Sequence, residues 1–476
     1  MTLYSLFPIA PEIFLISSIC LLLVLDVFIS DSQRIITYWA SVIAVIITAL
    51  LSLLTFNHDI TILFSGSVII DPISSLLKTF SSLLIVICFI YSKEYLIKNN
   101  LFKGEFFILS LFTLLGIFVM TSSHNLLILY LGLEILALSL YTLIAFNRDS
   151  AVATESAIKY FVLGAIASGT LLYGISFIYG ITGSIQFDLI SNYYLSNNSN
   201  LGISLLALAF ILVAVAFKFG AAPFHMWLPD VYQGSSAPVT LLIGTAPKVA
   251  AFVITWRLLV DALGPLFMYW KEIVFFLIVL SLLIGNLAAI AQTNLKRMLA
   301  YSTISHVGYI LMGFVALSEG GLSASLFYVV VYTLTAALAF GMIIILSTKN
   351  KEAQNIEDFS GLNEKSPWFA FMLLIAMFSM AGVPPFPGFY AKLLVLSSVI
   401  DAGMLWLAII GIITAVIGAF YYLRVIWFMY FNKPKGKFTP NGDTVFNYSL
   451  SINAVALVVI GFLPSYLLNL CNYLLS

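Results

Sequence analysis

The chain has 476 residues, 62% of them hydrophobic and 9% charged, with 21 Lys+Arg balanced by 21 Asp+Glu to a net charge of zero. Soluble domains carry about 25% charged residues, so this composition excludes a soluble globular protein, and its neutrality gives no attraction for nucleic acid or acidic partners. Apolar runs of about 20 residues recur along the chain, each long enough to cross a hydrocarbon core, where an outer-membrane barrel would alternate in shorter segments.

The fold predicted is an all-α polytopic membrane protein, a single membrane domain over 1–476. The first residues carry no basic stretch, and Pro8 and Glu12 precede what reads as a permanent span, not a cleaved leader. Fourteen candidate spans follow, at approximately 11–30, 35–56, 72–92, 105–121, 124–146, 151–180, 201–228, 237–260, 272–292, 299–317, 322–347, 367–399, 402–431 and 446–470. Cys20, Cys88 and Cys471 are scattered in apolar sequence without metal or redox spacing, and read as buried filler.

The loops between these spans differ in charge. Thirteen Lys and Arg, among them Lys296, Arg297, Lys435 and Lys437, fall on one face, against Lys271 alone on the other. The positive-inside rule then makes the basic face cytoplasmic and sets both termini on the opposite side.

A weak internal echo runs through the chain. Gly220-Ala-Ala-Pro-Phe224 resembles Gly382-Val-Pro-Pro-Phe386, and Ser156-Ala157 through Gly174 resembles Ser323-Ala324 through Gly341. Both pairs lie five spans apart, and an odd offset inverts a repeat in the membrane. The reading is two inverted five-helix repeats (105–260 and 272–431), with spans seven and twelve broken at matching places. Such breaks are the best sequence pointer to a transport site.

Ionisable residues inside spans cost about 2.5–3.5 kcal/mol to insert and are usually functional. Glu134 lies near the middle of span five, in LILYLGLEILALSLY. Lys218 stands just before the Gly220/Pro223 break, Lys248 follows Pro247 midway through span eight, and Lys392 follows the Pro/Gly run 382–388. Proline removes a backbone donor, and such disruption is tolerated in a membrane where the backbone lines a cavity or is buried in protein. A buried amine holds its proton conditionally, since desolvation and a neighbouring carboxylate act on it in opposite senses. Snorkelling to the headgroups is a poor account of midspan lysines. It is a better one for Lys159, two turns into span six, which reads equally as a functional lysine. His225 and His306 have side chains of a type able to titrate near neutral pH and suit a proton relay, His306 more so with the hydroxyls of Tyr301-Ser-Thr-Ile-Ser beside it. Lys78, Arg257 and Arg424 lie nearer span ends and read as anchors, and Asp230 as a loop residue. No nucleotide loop, zinc site, redox centre or nucleophile with its base is present in the sequence.

These motifs resemble the antiporter-like membrane subunits of respiratory complex I over nearly the whole chain. The resemblance is carried by Glu134, by KFGAAPFHMWLPD at 218–230, by Ala237-Pro-Val-Thr240 with Lys248 behind it, by NLKRMLAYSTISH at 294–306, and by GVPPFPGFYAK at 382–392. The chain ends soon after its fourteenth span, unlike the branch with a long lateral helix (L), and has Lys392 where branch M usually has Glu. The remaining branch, N, is matched in its fourteen-span bacterial or plastid-like form, the bacterial one preferred. The resemblance implies that Glu134 and Lys218 form an ion pair sensing a neighbouring subunit. Lys248 with His306 would carry the proton along the membrane plane, and Lys392 would release it. It further implies no cofactor on this chain, FMN and iron–sulfur clusters in partner subunits, subunits M and K as neighbours, and a bacterial inner membrane with both termini periplasmic. The competing readings are a subunit of a multisubunit cation/proton antiporter or membrane hydrogenase, and a structural spacer that retains its charges without pumping.

Overall fold

The computed structural model describes residues 3–56, 60–196, 200–349, 351–434, 439–440 and 442–475, so Lys435 and Lys437 of the basic face lie outside the described residues. In chain order the helices begin with α1 (Ala10–Phe28), α2 (Ile35–Leu54), α3 (Pro72–Lys98), α4 (Gly104–Thr121), α5 (Leu126–Ile144), α6 (Ala151–Thr182) and α7 (Phe187–Ser196). They continue with α8 (Leu201–Phe219), α9 (Trp227–Gly234), α10 (Ala237–Gly244), α11 (Ala246–Thr255), α12 (Phe267–Ile290), α13 (Leu295–Ala316) and α14 (Glu319–Leu346). The last are α15 (Leu362–Lys365), α16 (Pro367–Ala381), α17 (Pro387–Asp401), α18 (Leu405–Phe431), α19 (Thr444–Phe462) and α20 (Pro464–Leu475). Among the described residues, thirteen helices are long and apolar enough to cross a membrane.

The twelfth expected span, 367–399, is not one helix. It is divided into α16 and α17, of 15 residues each. The cause is local: Gly382 takes φ +84° and caps α16 through bonds from its N–H to Phe378 and Ser379 carbonyls, and the prolines that follow cannot extend the i→i−4 ladder. The same happens at 201–228, where α8 ends at Phe219 and Gly220 takes φ +79° before α9 begins. The Ala222–Pro223 and Pro384–Pro385 peptides are both cis. The expected span 237–260 is α10 and α11, interrupted at Thr245 and continued by a π-helical turn over Trp256–Ala262. The expected span 446–470 stops at Phe462, because Pro464 starts a separate helix. Residues 295–298, expected in a loop, open α13: Asn294 accepts a hydrogen bond from the Arg297 N–H at 3.0 Å and caps it.

The chain divides into two compact units. Unit 1 comprises Met1–Phe89, Phe102–Lys218 and Ala246–Ile273; unit 2 comprises Ile90–Leu101, Phe219–Thr245 and Val274–Ser476. Within unit 1, α4 and α5 approach backbone to backbone. A Cβ on Gly116 would meet the Gly132 carbonyl oxygen at 2.7 Å, and one on Gly132 would meet the Gly116 oxygen at 2.9 Å. Small residues at such crossings are the usual device for close helix packing in membranes, and here they fix α5, the helix that carries Glu134. A two-stranded hairpin, β1 (Thr61–Leu63) and β2 (Val68–Ile70), precedes α3. It is stitched to the α4–α5 turn by Ile69 N–H to Ser122 O (2.9 Å) and His124 N–H to Ser67 O (3.1 Å). Within unit 2, α14 is the central helix: nearly every residue from Gly321 to Leu346 is buried, and it packs against α10, α13, α16, α17, α19 and α20.

Candidate functional site

Unit 1 holds Glu134, Lys159, Lys218 and Lys248. Glu134 is half-buried on α5, and its Oε1 is sealed from solvent without a hydrogen-bond partner. Lys218 is in the last turn of α8, its stem half-buried and its Nζ likewise sealed and unbonded. The two are electrostatic neighbours without a direct bond, so the ion pair implied by the resemblance is not closed in this structure. Tyr130 and Tyr141 also lie within the field of Glu134, and the Tyr141 hydroxyl is a third buried, unbonded polar atom. Lys248 is 2% exposed, in the first turn of α11 beyond the Thr245 interruption. Lys159 sits apart from this buried set. Its side chain is 46% exposed and pairs at 2.8 Å with Glu155, one turn earlier on the outer face of α6.

Unit 2 holds His225, His306 and Lys392. His225 lies between α8 and α9, half-buried, with Nδ1 unbonded and its ring 6.5 Å from that of Tyr301. His306 is 5% exposed and bonded at both nitrogens: Nδ1 to the Tyr328 hydroxyl at 2.7 Å and Nε2 to the Tyr422 hydroxyl at 3.0 Å. The Tyr422 hydroxyl also bonds Ser302, one turn before His306. Lys392 is buried on α17 and folds back onto the frayed end of α16, donating to the carbonyls of Met380 (3.1 Å) and Ala381 (2.8 Å). Those carbonyls are free because Gly382 ends the helix there, so the Pro/Gly run supplies the lysine's acceptors directly. The Lys392 Nζ also stands 5.3 Å from the centre of the Tyr309 ring.

The anchor reading of two charged residues fails. Lys78 is 1% exposed and pairs with Glu12 at 2.5 Å. Arg257 is 3% exposed and pairs with Asp71 at 2.7 Å and Asp261 at 2.9 Å. A charge nearer a span end reaches headgroups only if its helix face is open, and both of these faces are closed by protein. Arg424 does serve the end of its span, donating to the carbonyls of Ile290 (2.8 Å) and Gln292. Asp230 belongs to the first turn of α9 and pairs with Arg297 at 2.7 Å.

Sequence reasoning also missed a knot on the basic face of unit 2. Lys296, counted there as a loop charge, is fully buried and bonds Glu352 (2.8 Å) and the Ser235 carbonyl (2.6 Å). Glu352 also accepts from the Tyr95 hydroxyl (2.5 Å) and from the N–H of Ala237, the first residue of α10 (2.8 Å). Burial acts to raise the Glu352 carboxyl, but the Lys296 ammonium and these hydrogen bonds outweigh it and hold it below the usual carboxylate range. Among the described residues no group of three His, Cys, Asp or Glu could hold a metal ion.

Comparison with known proteins identifies the architecture. The family described as "NADH:quinone oxidoreductase/Mrp antiporter, TM" matches residues 123–418. NADH-quinone oxidoreductase subunit N of Thioalkalivibrio sulfidiphilus is 51% identical over 470 residues, covering 98% of this chain and 98% of that protein. Subunit N of Herminiimonas arsenicoxydans is 50% identical over 482 residues, covering 98% and 97%. A chain of respiratory complex I from Thermus thermophilus, solved with bound aureothin, superimposes with a TM-score of 0.82 at 28% identity, over 96% of this chain and 98% of that one. This chain therefore belongs to the NADH-quinone oxidoreductase subunit N family, the proton-translocating, antiporter-like membrane subunits of that complex.

Proposed function

We propose that proton translocation by this subunit runs through Glu134, Lys218, Lys248, His306 and Lys392. Glu134 and Lys218 form the switch. When they approach, the carboxylate favours the charged amine; when they part, desolvation favours release of its proton. Lys248 and His306 carry the proton onward, and Lys392 is the terminal release site. His225, beside the first helix break, is a relay in the same path, and Lys159 is an outlying member on the open face of α6.

The observation that carries this reading is the state of the Glu134–Lys218 pair: two opposite charges in one another's field, each with a buried polar atom that bonds nothing. Buried polar groups are almost always satisfied, and the exceptions call for an explanation. A pair that alternates between engaged and disengaged states is one. The spacer reading would have no use for it.

Two further expectations belong to the same proposal. The segments 105–260 and 272–431 are inverted repeats, supported by left-handed glycines at Gly220 and Gly382 where each broken helix first ends. The subunit lies in a bacterial inner membrane with both termini periplasmic, beside subunits M and K, while FMN, iron–sulfur clusters and quinone chemistry reside on other chains of the complex. The excess of basic residues on one set of loops supports the orientation.

The test is the number of protons translocated per NADH oxidised in sealed vesicles containing the assembled complex. Lys248→Ala and Glu134→Gln are each expected to lower that number while NADH oxidation and assembly persist. An unchanged number with normal assembly contradicts the path and leaves a spacer.

A further inference from the structure

Beyond Lys248, toward the face opposite the basic loops, α11 continues without interruption into the π-helical turn Trp256–Ala262. π turns recur at functional sites. Arg257 stands on this one, nine residues after Lys248, a separation of roughly 13 Å along the axis. Its guanidinium is spent on three partners of unit 1: Asp71 at the root of the hairpin (2.7 Å), the Thr121 carbonyl at the end of α4 (2.9 Å) and Asp261 one turn on (2.9 Å). Asp71 is itself tied down, accepting the Ser74 N–H at 2.8 Å. Three separate segments are thus drawn together around one fixed positive charge. Just outside it, His124 bonds Asp188 at 3.0 Å, and the Asp188 side chain is 65% exposed.

The helix between Lys248 and Arg257 is apolar but for Thr255. Beside it lies a cavity of about 10 Å³ lined by Ile73, Leu77, Phe252, Val253 and Trp256, together with the polar Ser74, Thr121 and Arg257. That volume is no more than about one water molecule needs. A proton crosses such a stretch only along a chain of waters or titrating groups, and a cavity of this size has room for no such chain. Arginine cannot serve as a relay, because it does not lose its proton in proteins. Its charge also repels an excess proton at short range, strongly so in a medium of low polarisability, as an arginine does in water-selective pores.

We propose that Arg257, clamped by Asp71 and Asp261 over this narrow constriction, is a proton seal. It closes unit 1 on the face opposite the basic loops, so that a proton held at Lys248 is denied an exit there and none returns to Lys248 from that side. The two carboxylates hold the guanidinium in place and offset its burial; they are positioning residues. This inference rests on the assignment of Lys248 to the proton path.

The test is passive proton leak, measured without NADH. The whole complex is reconstituted into sealed proteoliposomes, an acid jump is applied outside, and a trapped pH dye reports the decay of the gradient. Arg257→Gln is expected to leak about tenfold faster than the unaltered complex, which corresponds to about 1.4 kcal/mol off the barrier. Arg257→Lys, which keeps the charge, is expected to stay tight. Val253→Ser keeps the ionic clamp but makes the constriction more polar, and is expected to leak as well; it carries the test if Arg257→Gln does not assemble. Adding Lys248→Ala to either leaking variant is expected to slow the leak. The proposal is overturned if the assembled variants are as tight as the unaltered complex, or if their leak is indifferent to Lys248→Ala. Failure of the underlying path reads differently: Lys248→Ala alone would leave the protons translocated per NADH unchanged.

Discussion

The two units treat their intramembrane lysines in opposite ways. In unit 1, Lys218 Nζ, Glu134 Oε1 and the Tyr141 hydroxyl are buried near one another and none makes a hydrogen bond. In unit 2, Lys392 Nζ rests on two carbonyls, and both nitrogens of His306 are held by tyrosine hydroxyls. The helix breaks are alike, each beginning at a glycine with φ near +80°, but the lysines use them differently. Lys218 precedes its break and bonds none of the carbonyls that the break frees. Lys392 follows its break on the next helix and bonds those carbonyls back. One lysine has no hydrogen-bond partner within the protein and the other has two, which suits the proposed roles of switch and resting place for a proton.

That contrast is open to attack by truncating each amine. Lys392→Met removes the donor from two buried carbonyls, and an unsatisfied buried group costs about 1–3 kcal/mol. A lower thermal midpoint of the purified complex is expected. Lys218→Met removes a polar atom that bonds nothing, so the same measurement is expected to show no loss, or a small gain. Equal destabilisation by both would erase the distinction between the units.

A finer probe compares the two glycines. Both require a left-handed backbone, which costs an L-residue roughly 1–2 kcal/mol. A Cβ at position 382 would further meet Lys392 Cδ at 2.9 Å, whereas one at position 220 would meet Leu228 Cδ1 at 3.2 Å. Gly382→Ala is therefore expected to be the more harmful, and to disturb proton translocation through Lys392 directly, as read in vesicles at matched assembly levels. Gly220→Ala proving the worse would mean that Lys392 yields easily and that its carbonyl seat is loose.

The spans, their breaks and the buried lysines were legible because each is a local signal. Apolar length marks a span, Gly and Pro mark an interruption, and a lone charge in Leu and Ile stands out. What escaped was whatever depends on a distant partner. Arg257 finds Asp71 across 186 residues, and nothing in either neighbourhood announces the other; position along a span suggested an anchor, while burial made it a clamp. Lys296 was misplaced for the same reason. Its acceptor, Glu352, comes from a loop after α14, and only the fold turns that loop inward onto the N–H of Ala237. The hairpin Thr61–Ile70 is too short for alternation to register beside flanking apolar runs. The sequence also could not tell that Lys159, chemically identical to Lys218, points outward toward Glu155.

The smallest effect expected concerns the Lys296–Glu352 knot and pH. The folded Glu352 carboxyl lies below its ordinary value, so its contribution to stability is fully present above the unfolded value of about 4.3 and is lost as pH falls through the lowered folded value. Glu352→Gln keeps an acceptor for Ala237 and Tyr95 but removes the titration. Its stability is expected to vary less across the acid limb, below about pH 4.3, than that of the unaltered complex. Parallel acid limbs would show that the carboxylate contributes no linkage.

The central claim is that the unsatisfied state of Lys218 serves proton translocation. It is tested most directly by Lys218→Met in the assembled complex, with protons translocated per NADH measured in sealed vesicles and thermal midpoint measured on the same preparation. The account predicts a fall in protons per NADH with no loss of stability. Unchanged proton translocation at unchanged stability would contradict it, and would make Lys218 a bystander to the path.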